Sequence, residues 1–315
     1  MRFIDTLREG ERISETYLCR KKTNAVGKSG KEYMSLDLQD RTGTIDGKIW
    51  DLGSAGIREF DELNYVAVTA DVTSFNGSLQ LNIKEIRIAD PGTYDEGDYL
   101  PVSQYDIEDM YKELLGFVDS IDNQYLSALA KMYFVEDKDF IEKFKKHSAA
   151  KRVHHGFVGG LLEHTLSVTR LCDKIAGNYS YLNRDLLITA AIFHDVGKVY
   201  ELSDFPTNDY TDAGQLLGHI MMGSEMVGTS ARKIQGFPTT LLHELKHCIL
   251  AHHGELEYGS PKKPALAEAI ALHYADDIDA KLETFKEAIN APGLKDGAWA
   301  GFNKMLDSNI RKTIG

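Results

Sequence analysis

The chain has 315 residues, enough for two domains that each bury a core, and its 43% hydrophobic and 27% charged content is ordinary for a soluble globular protein. A net charge of −12 excludes a generally basic nucleic-acid binder, so any grip on RNA or DNA needs a local patch, stacking or metal ions. Three scattered cysteines, Cys19, Cys172 and Cys248, exclude a disulfide framework or zinc ribbon and fit a reducing cytoplasm; no signal peptide or bilayer-length apolar run is visible, so no membrane is expected as a partner.

Over residues 13–88 the pattern is that of strands. Met34, Leu36 and Leu38 alternate with Tyr33, Ser35, Asp37 and Gln39. Ile45 and Ile49 alternate with Asp46, Lys48 and Trp50, and Asp40-Arg41-Thr42-Gly43 is the turn between the two runs. Val66, Val68, Ala70 and Val72 continue the alternation, and Asn76-Gly77 turns the chain into Leu79, Leu81 and Ile83. Residues 53–63 fill a break between the third and fourth strands as a short helix or loop.

Five strands with a break after the third resemble an OB-fold over residues 1–90, of the nucleic-acid-binding kind. Tyr33, Lys48 and Trp50 would then lie on the face such barrels use for oligonucleotides. Aromatics there stack on bases, worth ~1–3 kcal/mol per base, and lysine meets phosphate. The basic run Arg20-Lys21-Lys22, with Lys28 and Lys31, falls between the first two strands near a rim. The plainer alternative packs Trp50 under a loop and leaves the lysines as a solvated face. Gly27-Lys28-Ser29 is no phosphate loop, because Lys22 stands where that motif requires glycine.

Residues 91–105, opened by Asp90-Pro91-Gly92, read as a turn-rich acidic linker. From 106 to 315 the periodicity is helical, giving an all-α second domain. Helices over 107–121, 124–133 and 139–147 lead into a core at 153–289. All 11 histidines lie between His147 and His273, and imidazole is the commonest side-chain metal ligand.

A helix turns about 100° per residue, so the neighbours of a ligand tell which way it faces. His164 falls on the stripe of Phe157, Leu161, Val168, Leu171 and Ile175. His194 aligns with Leu187, Ala190 and Ala191 on a helix apolar nearly all round, and Asp195 follows at its end. His219 shares a side with Leu216, Gly223 and Met226. His252 aligns with Leu241, Leu245, Cys248 and Ile249, and Asp276 with Ala265, Ala269, Leu272 and Ala280. A buried imidazole or carboxylate needs a partner. Four inward histidines and two inward aspartates on five helices make a mixed nitrogen–oxygen set for one or two first-row metals. Two choices stay open by phase alone: Asp277 competes with Asp276, and His253 adds to or replaces His252.

Here the chain resembles the HD-domain metal-dependent phosphohydrolases. His164 in Leu-Leu-Glu-His-Thr, the doublet in Phe-His194-Asp195-Val-Gly-Lys198, and Asp276 in Tyr-Ala-Asp-Asp-Ile-Asp-Ala match that family's His…His-Asp…Asp signature. His219 and His252 match the additional histidines of its two-metal members, and the Ala-Asp-x-x-Asp-Ala form favours Asp276. With an OB-type barrel in front, the whole chain, including His154-His155 before the first ligand helix, resembles the YhaM family of 3′–5′ exoribonucleases. The resemblance implies single-stranded RNA as substrate, single-stranded DNA being the nearest alternative, with two Mn2+ per chain and release of nucleoside 5′-monophosphates. It implies that His164, His194, Asp195 and Asp276 hold one ion, with Asp195 bridging to a second held by His219 and His252. Lys198 would contact a non-bridging phosphate oxygen, unless it is a solvated helix-end lysine. His154 and His155 would touch substrate or serve the structure.

Three rivals are distinct in kind. His243-Glu244-Leu245-Lys246-His247 is a literal HExxH, with Glu268 as a third zinc ligand of a protease. Helical phase opposes it, placing His243 about 180° and His247 about 140° from the apolar stripe. An HD-domain hydrolase of nucleotides or cyclic dinucleotides is the second. A non-catalytic single-strand-binding protein is the third. Oligomeric state is left open.

Overall fold

The alternation over residues 13–88 produces a closed five-stranded barrel. The structure is a computed structural model, and it describes residues 2–26, 30–75, 77–151, 156–291 and 293–314. It divides into two units, Met1–Val102 and Ser103–Gly315. In the first, β1 (Arg12–Val26), β2 (Glu32–Asp40), β3 (Gly43–Ile49), β4 (Tyr65–Phe75) and β5 (Ser78–Ile88) close in the order β1-β2-β3-β5-β4. β4 pairs antiparallel with β1, and β3 pairs parallel with β5. That is a five-stranded OB-type barrel. One pleat face of each strand supplies its core, including Leu36, Leu38, Ile49, Val68 and Leu81.

Two expectations shift in this unit, the place of the basic run and the extent of the linker, while residues 53–63 take the loop that was the alternative to a helix. Arg20-Lys21-Lys22 lies inside β1, not between strands, because β1 runs on to Val26 through an irregularity between Cys19 and Lys21. Lys28, the Gly27-Lys28-Ser29 run and Asn76 lie outside the described residues. Residues 53–63 form no helix; Ile57 bridges to Ile86 and Phe60 is buried. The first part of the expected linker belongs to this unit. Tyr94 and Tyr99 stand with ring centroids 4.3 and 5.2 Å from Tyr65, and Leu100 is buried.

The second unit is built of α1 (Ile107–Asp119), α2 (Gln124–Lys131), α3 (Lys138–Lys146), α4 (Gly160–Asn178), α5 (Arg184–Phe193), α6 (Lys198–Glu201), α7 (Asp212–Ala231), α8 (Thr239–Ala251) and α9 (Ala267–Ile289). Side chains of Asp106, Asn123, Asp137, Asn183 and Thr211 accept first-turn amides and so begin five of these helices. Every residue of α5 from Leu186 to Phe193 is buried, as a helix apolar all round requires, and α4, α8 and α9 pack on it. Beyond α9 the all-α expectation gives way to an antiparallel ribbon, β6 (Trp299–Asn303) with β7 (Ser308–Arg311). No described helix is long and apolar enough to cross a membrane.

Candidate metal centre and nucleic-acid face

The apolar helix α5 stops at Phe193, and the chain turns through His194-Asp195-Val196-Gly197 into α6. Gly197 is required where it stands: a Cβ there would lie 2.1 Å from the carbonyl oxygen of His219 and 2.8 Å from the amide nitrogen of Gly223. The bare backbone lets α7 press onto the doublet and sets His219 beside Asp195.

Four imidazoles are oriented the same way. His164 Nδ1 lies 2.7 Å from Asp279 Oδ2, His194 Nδ1 2.7 Å from Ala191 O, His219 Nδ1 3.0 Å from Glu201 Oε1 and His252 Nδ1 2.7 Å from Ile249 O. Each partner accepts, so each Nδ1 donates and each Nε2 faces inward. Asp195 sits between them. Its Oδ2 is 3.4 Å from His164 Nε2, 3.5 Å from His194 Nε2 and 2.6 Å from Lys198 Nζ. Its Oδ1 is 3.3 Å from His219 Nε2 and 3.7 Å from His252 Nε2. Asp276 Oδ1 approaches His164 Nε2 at 3.2 Å.

Asp195 Oδ1, His219 Nε2 and His252 Nε2 are buried and have no hydrogen-bond partner among the described residues. Buried polar atoms are nearly always paired, and three orphaned lone-pair atoms converging on one point fit a divalent cation. Among the described residues two donor groups are close enough to hold one: His164, His194 and Asp276; and His219, His252 and His253. Desolvation disfavours a charged His164, yet hydrogen bonding to Asp195, Asp276 and Asp279 holds its pKa well above the ordinary histidine value. Burial, with His253 and His194 nearby, pushes His252 well below it, leaving a neutral imidazole ready to donate a lone pair. Burial alone would raise the Asp195 carboxyl, but Lys198 and His194 keep it well below the usual carboxylate range.

The geometry separates Asp276 from Asp277, while His253 stays in one donor group with His219 and His252. Asp277 turns to Lys281 at 2.8 Å, whereas Asp276 faces the imidazoles. His252 is fully buried beside Asp195, and His253 stands next to it with its Nδ1 donating to Tyr258 O at 2.8 Å. His219 arrives inward for a reason phase could not supply. Gly218 breaks α7 with φ 73° and ψ 155°, so Leu216, expected on the same side, is 83% exposed. Lys198 is no solvated helix-end lysine, being mostly buried against Asp195. His154 and His155 lie outside the described residues. In the HExxH segment His243 is exposed, His247 Nε2 accepts the amide of Ala265 at 2.8 Å, and Glu268 accepts the amide of Asn183 at 2.7 Å. Neither His243 nor His247 joins a donor cluster among the described residues.

Asp279 and Glu201 were missed. Asp279 orients His164 and is itself held by Ser167; Glu201 takes both the backbone amide and the Nδ1 of His219. The signal for Asp279 was its place one turn after Asp276 on the same helix. The cluster opens into a cleft of about 430 Å³ lined also by Lys198, His273, Tyr258 and Met305.

On the barrel, Tyr33 and Trp50 come together with ring centroids 4.8 Å apart at 31°, and Trp50 is 47% exposed, so it is not packed under a loop. Lys48 Nζ lies 5.9 Å from the centre of the Tyr33 ring. Its charge is shared: Asp46 Oδ1 and Ser35 Oγ each lie 2.6 Å away.

The HD domain family matches residues 161–281, a span that contains every histidine and aspartate of the cluster. The chain is 34% identical over 283 residues to the 3′-5′ exoribonuclease YhaM of Geobacillus sp. (strain WCH70), covering 89% of this chain and 86% of that protein. The second OB-fold domain of replication protein A from Methanococcus maripaludis aligns with 30% of this chain and 98% of its own, at 20% identity and a TM-score of 0.24. The length and identity of the first of these two matches, over a chain that carries both the barrel and the histidine–aspartate cluster, mean that the protein belongs to the YhaM family of 3′–5′ exoribonucleases.

Proposed function

We propose that this chain is a divalent-metal-dependent exoribonuclease that removes nucleoside 5′-monophosphates from the 3′ end of single-stranded RNA. The observation that carries the reading is Asp195, buried with its two oxygens facing different imidazole pairs and one of them without a hydrogen-bond partner among the described residues. His164, His194, Asp195 and Asp276 would hold one ion, and His219 and His252 a second on the far oxygen of Asp195. A mixed imidazole–carboxylate set admits several first-row metals, and the family resemblance is what favours manganese among them. Divalent ions held there would supply positive charge against the phosphate oxygens and would make water a stronger nucleophile at neutral pH.

The chain's own residues do the rest. Asp279 and Glu201 fix the tautomers of His164 and His219, so that both Nε2 atoms point into the site. Lys198 stays protonated, because Asp195 outweighs the burial that would neutralise it, and it offers a fixed cation to a non-bridging oxygen. Tyr33 and Trp50 on the barrel give a sequence-tolerant stacking surface for single-stranded bases. All three cysteines are free and buried, which supports a reducing, cytoplasmic setting.

The test is to incubate the purified chain and manganese with 5′-labelled single-stranded RNA. A ladder shortening from the 3′ end, 5′-monophosphate products and arrest by a chelator are expected. Single-stranded DNA run in parallel measures the preference between the two. Intact RNA alongside hydrolysis of nucleotides or cyclic dinucleotides would replace this reading with that of a small-molecule HD hydrolase.

A further inference from the structure

Among the described residues that line the cleft over the cluster, Tyr258 is the single phenylalanine, tyrosine or tryptophan ring. It is 68% exposed, and its phenol makes no hydrogen bond to any described residue. A large ring left in water earns no packing energy for the fold, so its position calls for another reason. That position is set firmly. Tyr258 closes the short turn Leu256–Tyr258 after α8, and its carbonyl accepts from Nδ1 of His253, the neighbour of the innermost histidine. Ser260 pins the next residues by donating to Leu250 O at 2.9 Å and lying 2.8 Å from Lys262 O, and Lys263 pairs with Glu255 at 2.5 Å. The ring is therefore held at the wall of the cleft by the same segment that carries His252 and His253.

We propose that Tyr258 is the platform on which the 3′-terminal nucleobase stacks while its phosphodiester lies over the histidine–aspartate cluster. This rests on the exoribonuclease reading. An enzyme that removes residues one after another must hold any of four bases, and stacking on an aromatic face is the contact every base can make. Hydrogen-bond readout would instead favour one base. The cleft, at about 430 Å³, lies within the range of sites that enclose a small ligand.

The experiment is a cycle between protein and substrate. First-cleavage kinetics are measured with manganese for the wild-type chain, Tyr258→Ala and Tyr258→Phe. Two RNAs are used, identical except that one carries an abasic 3′-terminal residue. Tyr258→Ala should raise KM on ordinary RNA about tenfold with a smaller effect on kcat, and should add almost nothing on the abasic-ended RNA. Tyr258→Phe, which keeps the ring, should recover most of the loss. Equal loss on both RNAs would make Tyr258 a structural residue and overturn the proposal, as would no loss on either. A wild-type chain that shortens neither RNA would overturn the nuclease reading itself.

Discussion

Asp195 presents Oδ2 to His164 and His194 and Oδ1 to His219 and His252, so deleting its carboxylate takes a shared anion from both halves of the cluster. Asp195→Ala should cost several orders of magnitude in RNA turnover while the helical circular-dichroism signal persists, because the helices are held by their own apolar faces. A variant that kept more than about a tenth of the activity with metal bound would refute the ligand assignment. Asp279 acts through His164. Asp279→Ala removes the acceptor of Nδ1, and metal affinity should fall about 10–100-fold in an equilibrium titration, with little change in melting temperature. His243→Ala should alter RNA turnover less than about threefold, since it changes an exposed position, whereas His252→Ala should be severely impaired. Metal lost from the first and kept by the second would reverse the ranking of these histidines.

Two glycines shape the elements around those residues. Gly197 lets α7 touch the turn after α5, and Gly218 lets α7 break so that His219 swings inward while Leu216 stays in water. A methyl at position 197 meets backbone atoms of α7, which cannot yield as a flexible side chain would. Gly197→Ala should therefore cost about 1–3 kcal/mol of stability, by the usual penalty for overpacking, and should weaken metal binding by moving His219. Thermal denaturation with and without manganese reads both. Unchanged stability would mean that α7 shifts freely, and that Gly197 does not set the position of His219.

For the whole molecule the division of labour is testable without separating its units. The donor clusters lie in Ser103–Gly315, and the pair of half-buried Tyr33 and exposed Trp50 lies in Met1–Val102. Contacts made away from the scissile bond are uniform binding, so Tyr33→Ala with Trp50→Ala should raise KM on RNA more than it lowers kcat. The loss should be about 1–3 kcal/mol per stack. Cleavage of a small chromogenic phosphodiester should be nearly unchanged. Lys48→Ala should matter less than Trp50→Ala, because Asp46 already offsets its ammonium. Equal loss on RNA and the small substrate would assign the aromatics to the fold instead.

Periodicity was enough for the barrel, for the run of helices and for the inward faces of His164 and His194, because on an unbroken strand or helix the neighbours of a residue state its direction. It failed where the helix itself broke. Across Gly218 the phase is reset, so His219 turned inward for a reason its neighbour Leu216 could not announce. The C-terminal ribbon β6–β7 was also missed, its strands being only five and four residues long. Which of Asp276 and Asp277 faces the imidazoles was decided by Lys281, and which histidine is innermost by the burial of His252. Glu201 stayed unread because an orienting carboxylate is recognised by the atom it touches, and for Asp279 the place one turn after Asp276 was the signal available. Chain order determined which donors this protein owns. Only the packing of α4, α5, α7, α8 and α9 around one buried carboxylate decided that they meet, since residues dozens of positions apart acquire a common centre solely through tertiary contact.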